Sequence, residues 1–153
     1  MLSRLRMQHE LVKRDVHPCT IAMMDLDLFK AVNDGYGHQV GDVVLADTAR
    51  HVLRHLRPYD EFFRYGGEEF LLCASGTDLV EGLVAVERLR EGIAGSPIEV
   101  GTGEPLRVSA SFGVTLPDPD ASVGESIARA DRAPYVAKAS GRNRTSLWDV
   151  SMT

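Results

Sequence analysis

Apolar positions along the chain switch between helical and strand spacing, and each switch marks a new element. In LSRLRMQHELVKRDV, Leu2, Leu5, Val12 and Val16 share one helical face, and CTIAMMDLD beyond them reads as an apolar strand ending in acids. The stretch DVVLADTARHVLRHL places Leu45, Ala49, Val52, Leu53 and Leu56 at helical spacing, which predicts a helix beginning at Asp42. EFFRY and EFLLCAS then bracket a Gly-Gly pair, the pattern of a β-hairpin. Leu79, Leu83, Val86, Leu89 and Ile93 mark another helix, while Val108, Ala110, Phe112, Val114 and Leu116 alternate with small or polar residues as a half-buried strand does. VGESIARADRAPYVAKASG closes as a helix ending near Gly141, and an edge strand is expected around TSLWDV.

Strand, helix, hairpin, helix, strand is the βαββαβ order of a ferredoxin-like fold. The expected class is therefore α+β, one antiparallel sheet backed by helices and carrying extra elements. In such a sheet the first strand neighbours the hairpin, so the end of one meets the tip of the other. That is where acids concentrate: Asp25 and Asp27 end the strand, and Glu68 and Glu69 open the far arm of the hairpin.

Composition narrows the picture. A chain of 153 residues, 44% hydrophobic and 25% charged, has the balance of one globular domain spanning 1–153. No apolar run approaches the ~20 residues that span a bilayer, and the start lacks the apolar stretch of a secretory signal. A cytoplasmic chain without direct membrane contact is expected. The net charge of -5 argues against a nucleic-acid binder, so bound phosphates would need the help of cations. Cys19 and Cys73 lie in apolar runs and read as buried, reduced thiols.

Up to four carboxylates converging on one edge would repel one another unless a cation joined them. Magnesium suits such a place, since it takes one or two carboxylates and completes its shell with water and phosphate oxygens. Solvated turn polarity is the plainer explanation, and spacing alone leaves both open.

The wider pattern decides between them. MMDLDLFKAVNDGYGHQVGDVVL, RPYDEFFRYGGEEF, SASFGV and ADRAPYVAKASGRNR resemble, in order and spacing, the GGDEF family of diguanylate cyclases, from about residue 20 to 148. Four interlocked motifs carry far more weight than GGEEF alone. The resemblance implies a nucleotide-cyclase or palm-like domain that condenses two GTP into cyclic di-GMP and two pyrophosphates. It also implies a homodimer, dependence on magnesium with manganese as an alternative, and a sensory domain upstream.

The family's roles transfer to matching positions. Asp25 and Glu68 match metal-binding and catalytic carboxylates, Leu26 offers a carbonyl to the metal, and Glu69 matches a supporting position. Leu28, Phe29 and Lys30 form a turn into helix whose N–H groups face the triphosphate, with Lys30 adding charge. Lys138 and Arg142, four apart and so expected on one helical face, match phosphate contacts. Asn33 and Asp42 match guanine readers, and Asp42 also suits the cap of the helix it begins. Gly66 and Gly67 let the backbone turn and bring the nucleotide close, and His38 reads as a hydrogen-bonding structural residue rather than a metal ligand. Arg57, Asp60 and Arg88 match an inhibitory product site, although an Arg-x-x-Asp pair alone is usually a surface ion pair.

Two departures from the family stand out. The LTGLxNR-like stretch expected before the first strand is missing, which suggests an excised catalytic fragment, and Pro134 replaces an apolar helix former, which is expected to kink the turn before Lys138. Two alternatives follow: a catalytically weak or inactive module that binds cyclic di-GMP or GTP, and a cyclase acting on a single triphosphate.

Overall fold

The computed structural model describes residues 19–101, 103–115, 125, 128–129, 132–134, 138 and 141–147. The helix expected over 2–16 lies outside them. Five strands form one sheet: β1 (Cys19–Leu26), β2 (Glu61–Arg64), β3 (Glu69–Ser75), β4 (Ala110–Thr115) and β5 (Thr145–Leu147). Their order is β2-β3-β1-β4-β5. The first four pair antiparallel as the ferredoxin-like reading requires. The edge strand β5 pairs parallel to β4, so the sheet is mixed rather than wholly antiparallel. The described residues between 125 and 138 are helical, and a helical crossover is what returns a chain in the same direction.

Strand alternation sorts β1 onto two faces. Ala22, Met24 and Leu26 join the main core with Phe70, Leu72, Phe112 and Val114, against which the helices α1 (Phe29–Tyr36), α2 (His38–Arg54) and α3 (Leu79–Gly95) pack. Asp25, one residue out of step with this set, points to the opposite face.

The helical segment expected from Asp42 begins earlier, at His38, and follows α1 after a break at Gly37, whose φ of 91° suits glycine. Its buried face runs through Gly41, Val44, Leu45, Thr48 and Val52. Leu53, predicted on that face, is 56% exposed because it lies about 100° around the helix from Val52. In α3, Asp78 caps the N-terminus by accepting from the Glu81 N–H at 2.9 Å, and Val86, Leu89 and Ile93 face the core.

The strand β4, expected to be half-buried, is buried at all six positions. A Cβ on Gly113 would lie 2.4 Å from Ala133 Cβ and 2.3 Å from Pro134 Cδ, so the helical segment packs straight onto the strand. Pro134 is itself buried and helical, its ring filling this interface, while the kink predicted after it falls on residues outside those described. The Cys73 side chain is buried, as expected. Among the described residues no helix is long and apolar enough to cross a membrane.

Candidate active site

The antiparallel register sets Asp25 opposite Glu69, and the Leu26 N–H donates to the Glu68 carbonyl at 3.2 Å. The hairpin tip is thereby sewn to the end of the first strand. Within the turn, the Tyr65 and Gly66 N–H groups donate to the Glu69 carbonyl at 2.8 and 3.2 Å. Neither Gly66 nor Gly67 has a positive φ, so the turn does not draw on the left-handed backbone that glycine favours. A Cβ on Gly66 would sit 3.3 Å from Glu69 Oε2, whereas one on Gly67 would face open space. The Glu69 side chain thus folds over the turn.

Arg64 escaped the sequence reading. Its guanidinium donates to the carbonyls of Gly66, at 3.2 Å, and Gly67, at 2.7 Å, and so braces the turn from beneath. An arginine two residues ahead of the glycine pair was the local cue, and it does not say that the carbonyls of the turn are its partners.

Asp25 and Glu68 come within hydrogen-bond reach of one another. Burial, and next the charge of Asp25, push the Glu68 carboxyl above its usual range, with Lys138 opposing the shift. The Lys138 ammonium lies 2.9 Å from Asp25 Oδ1 and 3.4 Å from the Leu26 carbonyl. One carboxylate and a carbonyl therefore already hold a positive charge, which the second carboxylate also feels. This donor set fits a hard cation such as magnesium, which needs only one or two carboxylates. Among the described residues no group of three His, Cys, Asp or Glu side chains could hold a metal, so further ligands would come from water and phosphate.

Two expectations change. Asp27 does not join the acidic cluster: it is buried and accepts from Ser109 Oγ at 2.7 Å, Ser111 Oγ at 2.6 Å and the Asn143 N–H at 2.9 Å. Three donors satisfy its charge away from the cleft. Arg142 does not share a helical face with Lys138, because it lies beyond the helix in a bend with a φ of 64°.

A cleft of about 460 Å³ gathers Phe29, Lys30, Asn33, His38, Asp42, Arg64, Gly67 and Glu68. The predicted triphosphate turn, base readers and metal-binding glutamate thus border one space. The Phe29 ring is buried, so its contribution to the cleft is its backbone at the helix start, where N–H groups lack intrahelical partners. Leu28 precedes it in left-handed conformation, with a φ of 55°, and is 58% exposed. Asp42 stands one turn inside α2 and caps nothing, since the helix starts after Gly37 without a side-chain cap. The Asn33 amide oxygen occupies the place a Cβ on Gly41 would need, only 1.9 Å away, so glycine there admits the asparagine. His38 is exposed on the cleft wall.

A second cavity, about 210 Å³, is lined by Arg57, Asp60, Thr77, Glu81 and Arg88. Asp60 takes two side-chain bonds from Arg57, at 3.3 and 2.9 Å, and a third from its N–H at 2.9 Å. The guanidinium also donates to Thr77 Oγ1 and lies 4.6 Å over the Tyr59 ring. The ion pair expected of a plain Arg-x-x-Asp is present, and it faces a pocket that Arg88 shares. Thr77 and Tyr59 were not singled out from sequence, since Thr77 lies 20 residues from Arg57 and nothing local says that the Tyr59 ring lies under the guanidinium.

The family described as "Diguanylate cyclase, GGDEF domain" matches residues 1–144. Response regulator PleD of Caulobacter vibrioides is 41% identical over 138 residues, covering 87% of this chain and 30% of PleD. Diguanylate cyclase SiaD of Pseudomonas aeruginosa, solved in complex with its activator SiaC, superposes with a TM-score of 0.90 at 41% identity, over 95% of this chain and 56% of that one. The GGDEF domain of DgcB from Caulobacter crescentus, solved in complex with c-di-GMP, gives 0.85 at 29% identity, over 96% and 85%. The chain spans under a third of the length of PleD.

Proposed function

Because the chain belongs to the GGDEF domain family of diguanylate cyclases, we propose that it condenses two GTP into cyclic di-GMP with release of two pyrophosphates. The observation that carries this reading is the meeting of Asp25, Glu68 and the Leu26 carbonyl around one cationic position, at the edge of a cleft that also holds Asn33 and Asp42.

Each new bond forms between a 3'-oxygen and an α-phosphorus, as the bond from that phosphorus to the pyrophosphate oxygen breaks. Asp42 accepts from the N1 and N2 hydrogens that guanine has and adenine lacks, and Asn33 completes the reading of the base. Lys30, Arg142 and the N–H groups opening α1 bind the phosphates. Lys138 joins them by turning from Asp25. Glu68 takes the proton of the attacking 3'-hydroxyl. Asp25, Glu68 and the Leu26 carbonyl would hold magnesium or manganese, which would stabilise negative charge on the attacking and leaving oxygens. One chain holds one nucleotide, so two copies must face each other to close the ring. Cyclic di-GMP returning to Arg57, Asp60 and Arg88 inhibits the enzyme, and an upstream sensory segment in the longer protein governs it.

Incubation with GTP and magnesium, followed by chromatography, tests the reading. Cyclic di-GMP is the expected product. Its absence at high protein concentration, with product continuously removed, overturns the proposal, and a cyclic mononucleotide in its place would show intramolecular closure. The separate cavity at Arg57 favours one second reading, a module that binds cyclic di-GMP without turnover. Product binding without any synthesis would identify it.

A further inference from the structure

The segment carrying Arg142 is held by contacts that the catalytic reading does not use. Arg142 and Asn143 are consecutive residues with positive φ, 64° and 45°, a region asparagine tolerates better than most side chains. Asn143 is gripped from two sides. Its N–H donates to Asp27 Oδ2 at 2.9 Å, while Arg90 Nη1 donates to its carbonyl at 3.1 Å and to its side-chain Oδ1 at 2.8 Å.

Both anchors are themselves fixed. Asp27 is 6% exposed and held by the hydroxyls of Ser109 and Ser111. Arg90 is locked by Glu87 through bonds of 3.0 and 2.8 Å, which also keep the Glu87 carboxyl below its usual range. The end of β1 and the helix α3 thus converge on one exposed residue that adds no apolar surface to the core. What this bracing does fix is the backbone of the preceding arginine.

We propose that Asn143 is a positioning residue for the triphosphate end of the nucleotide, setting the backbone from which Arg142 reaches the phosphates. The inference rests on Arg142 being a phosphate contact. Fixing the Cα of a long side chain lowers the entropy lost when its head group binds, so the bracing acts on affinity for the phosphates and leaves the base untouched.

The test is calorimetric binding of two probes, a non-hydrolysable GTP analogue and GMP, with magnesium present. Wild type is compared with Asn143→Ala, Asn143→Asp, Arg142→Ala and the double alanine variant, each shown to be folded by its melting transition. Asn143→Ala is expected to weaken the analogue about fivefold to tenfold while GMP is unchanged, and the double variant should bind no worse than Arg142→Ala, since the two residues act as one. Asn143→Asp, which keeps the acceptor and the tolerance of left-handed backbone, should restore binding. Additive losses, an equal loss for GMP, or undiminished analogue binding in Asn143→Ala beside a weakened Arg142→Ala each overturn the positioning role alone. Undiminished binding in Arg142→Ala overturns the phosphate contact and the positioning role with it.

Discussion

Lys138 holds its ammonium 2.9 Å from Asp25 Oδ1, so a side chain reaching in from beyond the sheet neutralises the carboxylate that a metal would otherwise claim. The same nitrogen lies 3.4 Å from the Leu26 carbonyl. In the absence of metal, this lysine is what separates Asp25 from Glu68 electrostatically. Lys138→Met should therefore lower the stability of the metal-free protein by about 1 kcal/mol, a modest figure because both groups keep some contact with water. Millimolar magnesium should close most of that gap. Melting curves with EDTA and with magnesium check both halves, and a variant equally destabilised under both conditions would show that Lys138 packs rather than neutralises.

Glu68 carries the opposite penalty. Burial and Asp25 raise its carboxyl above the usual range, so the folded protein binds its proton more tightly than the unfolded chain does. The destabilisation is absent below the ordinary carboxylate range and grows as pH rises through the raised value. Glu68→Gln removes the ionisation. Without metal it should melt above wild type at neutral pH, with the two converging in acid, and it should make no detectable cyclic di-GMP while still binding the product at Arg57. A variant that melts below wild type at neutral pH would contradict the electrostatic account.

Arg57 is held by Asp60, by Thr77 and over the face of Tyr59, so its guanidinium meets a ligand with little freedom left to lose. Arg57→Ala should raise the cyclic di-GMP concentration needed for half inhibition about tenfold or more, leaving the initial rate on GTP intact. The Asp60 side chain, 6% exposed, loses its partner in that variant, so some thermal stability goes as well. Arg57→Lys keeps the charge but not the planar fork, and an inhibition curve identical to wild type in that variant would exclude bidentate recognition.

The meeting of β1 with the hairpin was legible because both apolar runs end in acids and the βαββαβ order makes them neighbours, as the pairing of Asp25 with Glu69 bears out. Asp27 was not legible: its partners Ser109, Ser111 and Asn143 lie 82, 84 and 116 residues away, and no local pattern says which of two acids two apart will turn inward. Periodicity also placed Arg142 on a helical face, although Gly141, with a φ of 124°, takes the chain out of the helix first. Arg64 bonds backbone carbonyls, which carry no letter in the sequence.

Leu28 is the remaining place where sequence and backbone conflict. It is a large apolar residue, 58% exposed, in the left-handed region directly before α1, and its side chain makes no capping bond. A Cβ in that region costs about 1–2 kcal/mol, and asparagine recovers part of this while glycine recovers it all but surrenders more freedom on folding. Stability should therefore rank Asn above Gly, Gly at or slightly above Leu, and Val well below, with Leu28→Asn gaining about 1 kcal/mol. Urea titrations of the four proteins measure the order directly. A valine variant as stable as wild type would mean that the backbone at the start of α1 adopts another conformation in solution.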